Sequence, residues 1–202
     1  MCGIAGLIHR GKSSNVGEEL QSMLQALKHR GPDSTGYALY AKNDGQNFIM
    51  RFKVGENVGE GSSSVNEDAS VYDDRKKLVD KNLSELGATI VKEEKLTPYS
   101  YRYEIKYDKD LMDFSKKIES VEMVEILSIG KSLELIKDLG DAKTVSERYN
   151  LDKVQGTHGI GHARMATESG VDIKSAHPFW GYPFADVSVV HNGQLTNYWN
   201  NR

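Results

Sequence analysis

Met1-Cys2-Gly3-Ile4-Ala5-Gly6-Leu7-Ile8 opens the chain. Residues 2–8 have the character of a short buried strand, apolar and glycine-containing. Cys2 is the single cysteine among 202 residues, so the chain can build neither an internal disulfide nor a thiolate-rich metal site. A lone cysteine is most often a small packing residue. Position changes that reading: removal of Met1 would leave a free α-amine on the same residue as the thiol. An α-amine titrates at ~7.7–8.0 and a free thiol near ~8.5, so such an amine can take the thiol proton near neutral pH. The nucleophile would then carry its own base.

Beyond this strand, residues 11–14 read as a loop, and Asn15 with Glu18 three positions later is a capping-box start. Leu20, Met23, Leu24 and Leu27 follow helical spacing, and Gly31-Pro32 ends the helix. Residues 35–41 and 48–54 are strand-like, and Asn43-Asp44-Gly45 between them signals a hairpin. Residues 56–155 have a different texture. They hold 16 Lys/Arg against 22 Asp/Glu, so they carry −6 of the net −3 and the remainder is positive. Short helices are expected around 76–86, 111–118 and 133–139, and strands at 99–107 and 121–129. The stretch reads as an α+β insertion in the main domain. Its alternating Tyr99, Tyr101, Tyr103 and Tyr107 are either a docking surface or the packed face of a strand. Residues 159–166 and 187–191 complete the pattern as core strands, with a loop between them.

No basic stripe of the kind that neutralises phosphates is present, which argues against nucleic acid as a partner. The apolar start lacks the charged region and length of a signal peptide, and no apolar run reaches the ~20 residues of a membrane span. The chain is accordingly read as cytoplasmic, with no membrane partner and no cofactor of its own.

Two later segments carry candidate chemistry. In Gly161-His162-Ala163-Arg164-Met165-Ala166-Thr167, Arg164 falls at a strand end. A planar guanidinium there suits bidentate capture of a carboxylate, and Thr167 offers a hydroxyl to the same group. In His191-Asn192-Gly193-Gln194-Leu195-Thr196-Asn197, Asn-Gly is either a tight turn or an oxyanion hole. In the latter case the Asn192 side-chain amide and the Gly193 N–H would donate to a developing oxyanion. Two rival patterns exist. Gly6-Leu7-Ile8-His9-Arg10-Gly11-Lys12-Ser13 matches the phosphate-loop consensus letter for letter, yet Leu7 and Ile8 continue the strand, and no apolar run ending in Asp follows to hold magnesium. His158 and His162 share a face, but lack a third zinc ligand.

Taken together and in order, Met1-Cys2-Gly3-Ile4-Ala5-Gly6, His29-Arg30-Gly31-Pro32-Asp33-Ser34-Thr35-Gly36, the Gly161–Thr167 segment and the His191–Asn197 segment form one set. This set resembles the class II glutamine amidotransferase family, N-terminal-nucleophile hydrolases that release ammonia from glutamine. The resemblance covers residues 2–54 and 157–202, with 56–155 as the insertion. It implies a four-layer αββα sandwich of α+β class and L-glutamine as substrate. It also implies Cys2 as nucleophile, Asn192 and Gly193 as oxyanion donors, and Arg164 and Thr167 on the substrate carboxylate. Arg30 and His177 fall at family positions beside the site and take supporting roles. The family further uses an aspartate beyond the His-Asn-Gly motif. No position for it exists here, so either the domain is C-terminally incomplete or the residue comes from elsewhere. No ammonia acceptor is recognisable in the chain. A missing C-terminal domain or synthase subunits would supply one, as in glutamate-synthase-type complexes, including N-methylglutamate synthase. A non-catalytic binding or regulatory module of the same fold is the alternative.

Overall fold

The computed structural model describes residues 2–31, 33–43, 45–55, 69–165 and 173–193. Their architecture is α+β, built on two four-stranded antiparallel sheets. The first sheet has the order β1 (Gly3–Ile8), β8 (Gly156–Arg164), β2 (Ser34–Ala41), β7 (Leu133–Leu139). The second runs β4 (Thr89–Thr97), β5 (Ser100–Lys106), β3 (Phe48–Lys53), β6 (Glu125–Gly130). A short hairpin of β9 (Phe179–Trp180) and β10 (Ser188–Val189) stands apart from both.

Each sheet has its own helices. Helix α1 (Val16–Ala26) starts at Asn15, whose Oδ1 accepts from Glu18 N while its Nδ2 donates to Glu18 Oε2 at 2.8 Å. The first bond satisfies one backbone donor, Glu18 N, that the first turn leaves open, and the side-chain bond steadies the cap. Leu20 and Leu24 of α1 are fully buried with Ala5, Tyr37, Leu39 and Ile136 of the first sheet and Val145 and Tyr149 of α4 (Ala142–Tyr149). The close approach depends on Gly161, where an added Cβ would lie 2.5 Å from Leu24 Cδ1. On the second sheet, Val79 and Leu83 of α2 (Ala69–Leu86) and Phe114 and Ile118 of α3 (Leu111–Ile118) meet Met50, Phe52, Tyr101, Tyr103 and Ile105. A third cluster joins Ala38, Leu133 and Leu135 of the first sheet to Leu127 of the second.

Several expectations are corrected. Residues 133–139 form a strand, not a helix, with all seven residues buried. The Asn43-Asp44-Gly45 signal does not make a hairpin: β2 pairs with β7 and β8, whereas β3 pairs with β5 and β6. The chain there passes from one sheet to the other. The tyrosines are not a docking surface; Tyr99, Tyr101 and Tyr103 are buried in the second core. Strand β4 and helix α4 had no counterpart in the sequence reading. Strands from within 56–155 are hydrogen-bonded to both flanking segments, β7 to β2 and both β5 and β6 to β3.

Candidate active site

Among the described residues, strand β1 is an edge strand paired with β8, with Gly3 opposite Ala163. This antiparallel register sets Cys2, just before β1, next to Arg164 and Met165 at the end of β8. The half-buried Cys2 Sγ donates to Met165 O at 3.9 Å. Arg164 is buried, 7% exposed, and its backbone O accepts from Asp33 N at 3.2 Å. That bond brings the turn Lys28–Arg30, with Arg30 exposed at its end, beside the same strand terminus. An open hollow of about 560 Å³, lined by Gln25, Ala26, Lys28, His29 and Met165, adjoins it.

The second half of the site comes from residues 173–193. Asn192 Nδ2 donates to Cys2 O at 3.0 Å, across 190 positions of sequence. His191 N donates to His177 Nδ1 at 3.2 Å, so the His177 and Asn192 segments hold each other. The His177 ring lies 4.9 Å from that of His162 and 4.5 Å from that of Phe179. Burial, then the neighbouring His191, Lys137 and Arg164, push His177 down to about 4. Burial, then His177 and Arg164, lower His162 to about 4 as well. Both rings are therefore neutral near pH 7, and His177 Nδ1 serves as an acceptor. Among the described residues, the deeply buried His162 has no hydrogen-bond partner on either ring nitrogen.

Cys2, Arg164, His177, Asn192 and Gly193 thus gather at one end of the first sheet. Thr167 lies outside the described residues. Arg30 is near in the chain path, but no hydrogen bond or ion pair ties its side chain to the others among the described residues. Two further groups have no signal in the sequence. Lys137 of β7 donates to Lys174 O at 3.3 Å and sits 4.8 Å over the Phe179 ring. Asp186 anchors the β9–β10 turn.

The rival patterns do not assemble. Gly6, Leu7 and Ile8 are strand residues paired to β8 and cannot turn around a phosphate. His158 stacks on Tyr40 at 3.9 Å and pairs with Thr157 Oγ1. Among the described residues, no group of three or more His, Cys, Asp or Glu could hold a metal ion. No helix there is long and apolar enough to cross a membrane.

A family model described as a glutamine amidotransferase domain matches residues 1–56. A "Putative glutamine amidotransferase" of Methanothermobacter thermautotrophicus is 37% identical over 210 residues, covering 100% of this chain and 64% of its own length. The glutamine amidotransferase-like protein GlxB of Rhizobium meliloti is 31% identical over 205 residues, covering 100% of this chain and 62% of its own. An isomerizing glutamine–fructose-6-phosphate aminotransferase of Methanococcus maripaludis is 32% identical over 95 residues, 46% of this chain and 16% of its own. The chain spans less than two thirds of the length of these relatives.

Proposed function

We propose that this chain, similar at its start to a glutamine amidotransferase domain and along its length to a protein named a putative glutamine amidotransferase, is a class II glutamine amidotransferase that hydrolyses the side-chain amide of L-glutamine through Cys2. Met1 is removed, and the freed α-amine takes the thiol proton as the sulfur attacks the amide carbon. Negative charge moves to the amide oxygen, where the Asn192 amide and the Gly193 N–H donate to it. The amine then returns its proton to the leaving nitrogen, and ammonia departs. Water cleaves the thioester to release glutamate and regenerate the thiol.

Arg164 holds the substrate α-carboxylate with Thr167, while His177 and Arg30 support the pocket walls. The residues flanking 56–155 supply the chemistry, and the layers are those of a four-layer αββα sandwich. The clusters α1/α4 on one sheet, α2/α3 on the other, and Ala38, Leu127 and Leu135 between sheets support that order.

The observation carrying this reading is the 3.0 Å bond from Asn192 Nδ2 to Cys2 O, which seats a side-chain donor on the nucleophile's own residue. Ammonia in bulk water near neutral pH is largely protonated and is then no nucleophile, so a useful product must pass directly to an acceptor. We assign that acceptor to another domain or subunit, of glutamate-synthase type, including N-methylglutamate synthase. The test is release of glutamate and ammonia from glutamine by the protein with Met1 removed. Abolition by Cys2→Ala is expected; equal turnover by that variant would refute the nucleophile.

A further inference from the structure

Outside the site, the Asp186 carboxylate, in the turn between β9 and β10, accepts four hydrogen bonds, three of them from backbone N–H groups. Its Oδ1 accepts from Ser132 N and Leu133 N at 2.7 Å each and from Ser132 Oγ at 3.0 Å. Its Oδ2 accepts from Lys131 N at 3.0 Å. Three successive backbone N–H groups converging on one carboxylate form an anion-holding nest. These residues form the corner between β6 and β7, where the chain crosses from the second sheet to the first. Asp186 itself has φ +60°, a conformation that Asp and Asn tolerate better than other side chains.

The β9–β10 hairpin is the lever between this anchor and the chemistry. It has two paired residues per strand, Phe179 with Val189 and Trp180 with Ser188, too few to be stable alone. His177 precedes β9 by two positions, and Asn192 follows β10 by three. Gly181 N donates to Val187 O at 2.8 Å, and Tyr40 Oη pairs with Ser188 Oγ at 3.0 Å. Trp180 packs against the second core and the inter-sheet cluster, and its Nε1 donates to Phe184 O at 2.8 Å, whereas Phe184, Val187 and Val189 are exposed, so polar anchoring at the tip adds to the packing at Trp180.

We propose that Asp186 is a positioning residue, whose carboxylate clamps the β9–β10 hairpin to the β6–β7 corner and thereby holds Asn192 and His177 at Cys2. This inference rests on the glutaminase reading for its functional consequence, but not for its structural one. A displacement of ~1 Å at a reacting group can cost about 10²-fold in rate. The loss should fall on kcat, because Asn192 matters chiefly as charge develops, while Arg164, on a separate strand, still captures the substrate.

The experiment compares wild type, Asp186→Ala and Asp186→Asn by steady-state glutamine hydrolysis and by hydrogen exchange. Asp186→Ala is expected to lower kcat about 10–10²-fold with KM little changed. It should also speed exchange at the amides of Gly181 and His191 while β2 and β8 stay protected. Asp186→Asn keeps one acceptor oxygen and the backbone conformation, and should recover part of both. Alkylation of Cys2 by iodoacetamide, which needs no oxyanion donor, should proceed at the wild-type rate in all three. Unchanged exchange at Gly181 and His191 in Asp186→Ala would overturn the clamp, as would unchanged kcat. Loss of protection throughout β2 and β8 in both variants would overturn it too, in favour of a general structural role. If wild type hydrolyses no glutamine, the functional reading fails while the exchange comparison still decides the clamp.

Discussion

Asn192 and Arg164 both lie beside Cys2, yet kinetics should separate them. In the proposed reaction the Asn192 amide would donate where charge appears only during turnover, so Asn192→Ala should cut kcat by about 10²–10³-fold and leave KM nearly intact. Arg164 would hold a carboxylate present in ground and transition states alike, so Arg164→Ala should raise KM first. Initial rates over a range of glutamine concentrations distinguish the two, and matching KM increases would contradict this division. Both residues were candidates from the sequence, because their segments offer a donor and a cation of the kind acyl transfer uses. Asp186 and Lys137 were not. A single Asp or Lys gives no local pattern when its partners lie on other strands and turns, such as Lys131 N for Asp186 and Glu125 and Lys174 O for Lys137.

At the scale of elements, strand β2 supports the His177 segment directly. A Cβ added at Gly36 would lie 2.0 Å from His177 O, far inside contact distance. Gly36→Ala should therefore push that segment off the sheet and lower kcat/KM by about 10²-fold. Circular dichroism would show the sheets retained; full activity would mean that the approach is not needed. The same scale shows why part of the fold resisted reading. In Leu133-Glu134-Leu135-Ile136-Lys137-Asp138-Leu139, apolar residues at 133, 136 and 139 mimic a helical face. The strand hides its polar residues in buried partners instead: Asp138 accepts from Tyr99 and Tyr149, and Lys137 pairs with Glu125. The capped helix α1 and the first strand were legible because local signals alone specify them. The crossing at Asn43-Asp44-Gly45 was not, because a turn tripeptide does not encode which sheet the next strand joins.

Across the whole molecule, buried charge ties the two sheets. Arg51 and Arg102 of the second sheet both donate to Glu134 of the first. Burial opposes that carboxylate's charge, but the two guanidiniums outweigh it and hold Glu134 down to about 2. Glu134→Gln leaves the buried Arg51 without its counter-charge, while the half-buried Arg102 keeps Glu94 at 3.5 Å, and should cost ~3–5 kcal/mol in urea unfolding. A loss within experimental scatter would show that the pair is not coupled to folding. Stability should also fall with acid well before Glu134 titrates. His162 and His177, lowered to about 4 in the fold, titrate near 6.5 when unfolded, so the unfolded chain binds more protons between those values. Melting temperature should accordingly be greatest above pH 6.5 and decline toward pH 4. His162→Asn should flatten that slope, whereas an unchanged slope would place the proton uptake elsewhere.

We propose Cys2 as an N-terminal nucleophile for glutamine. Intact-mass spectrometry of the purified protein, before and after a glutamine-mimicking diazo-ketone, tests it in one measurement. The expected result is a chain lacking Met1 that gains one adduct, mapped to Cys2 and suppressed by excess glutamine. A chain that has lost Met1 and still gains no adduct at Cys2 would contradict the account.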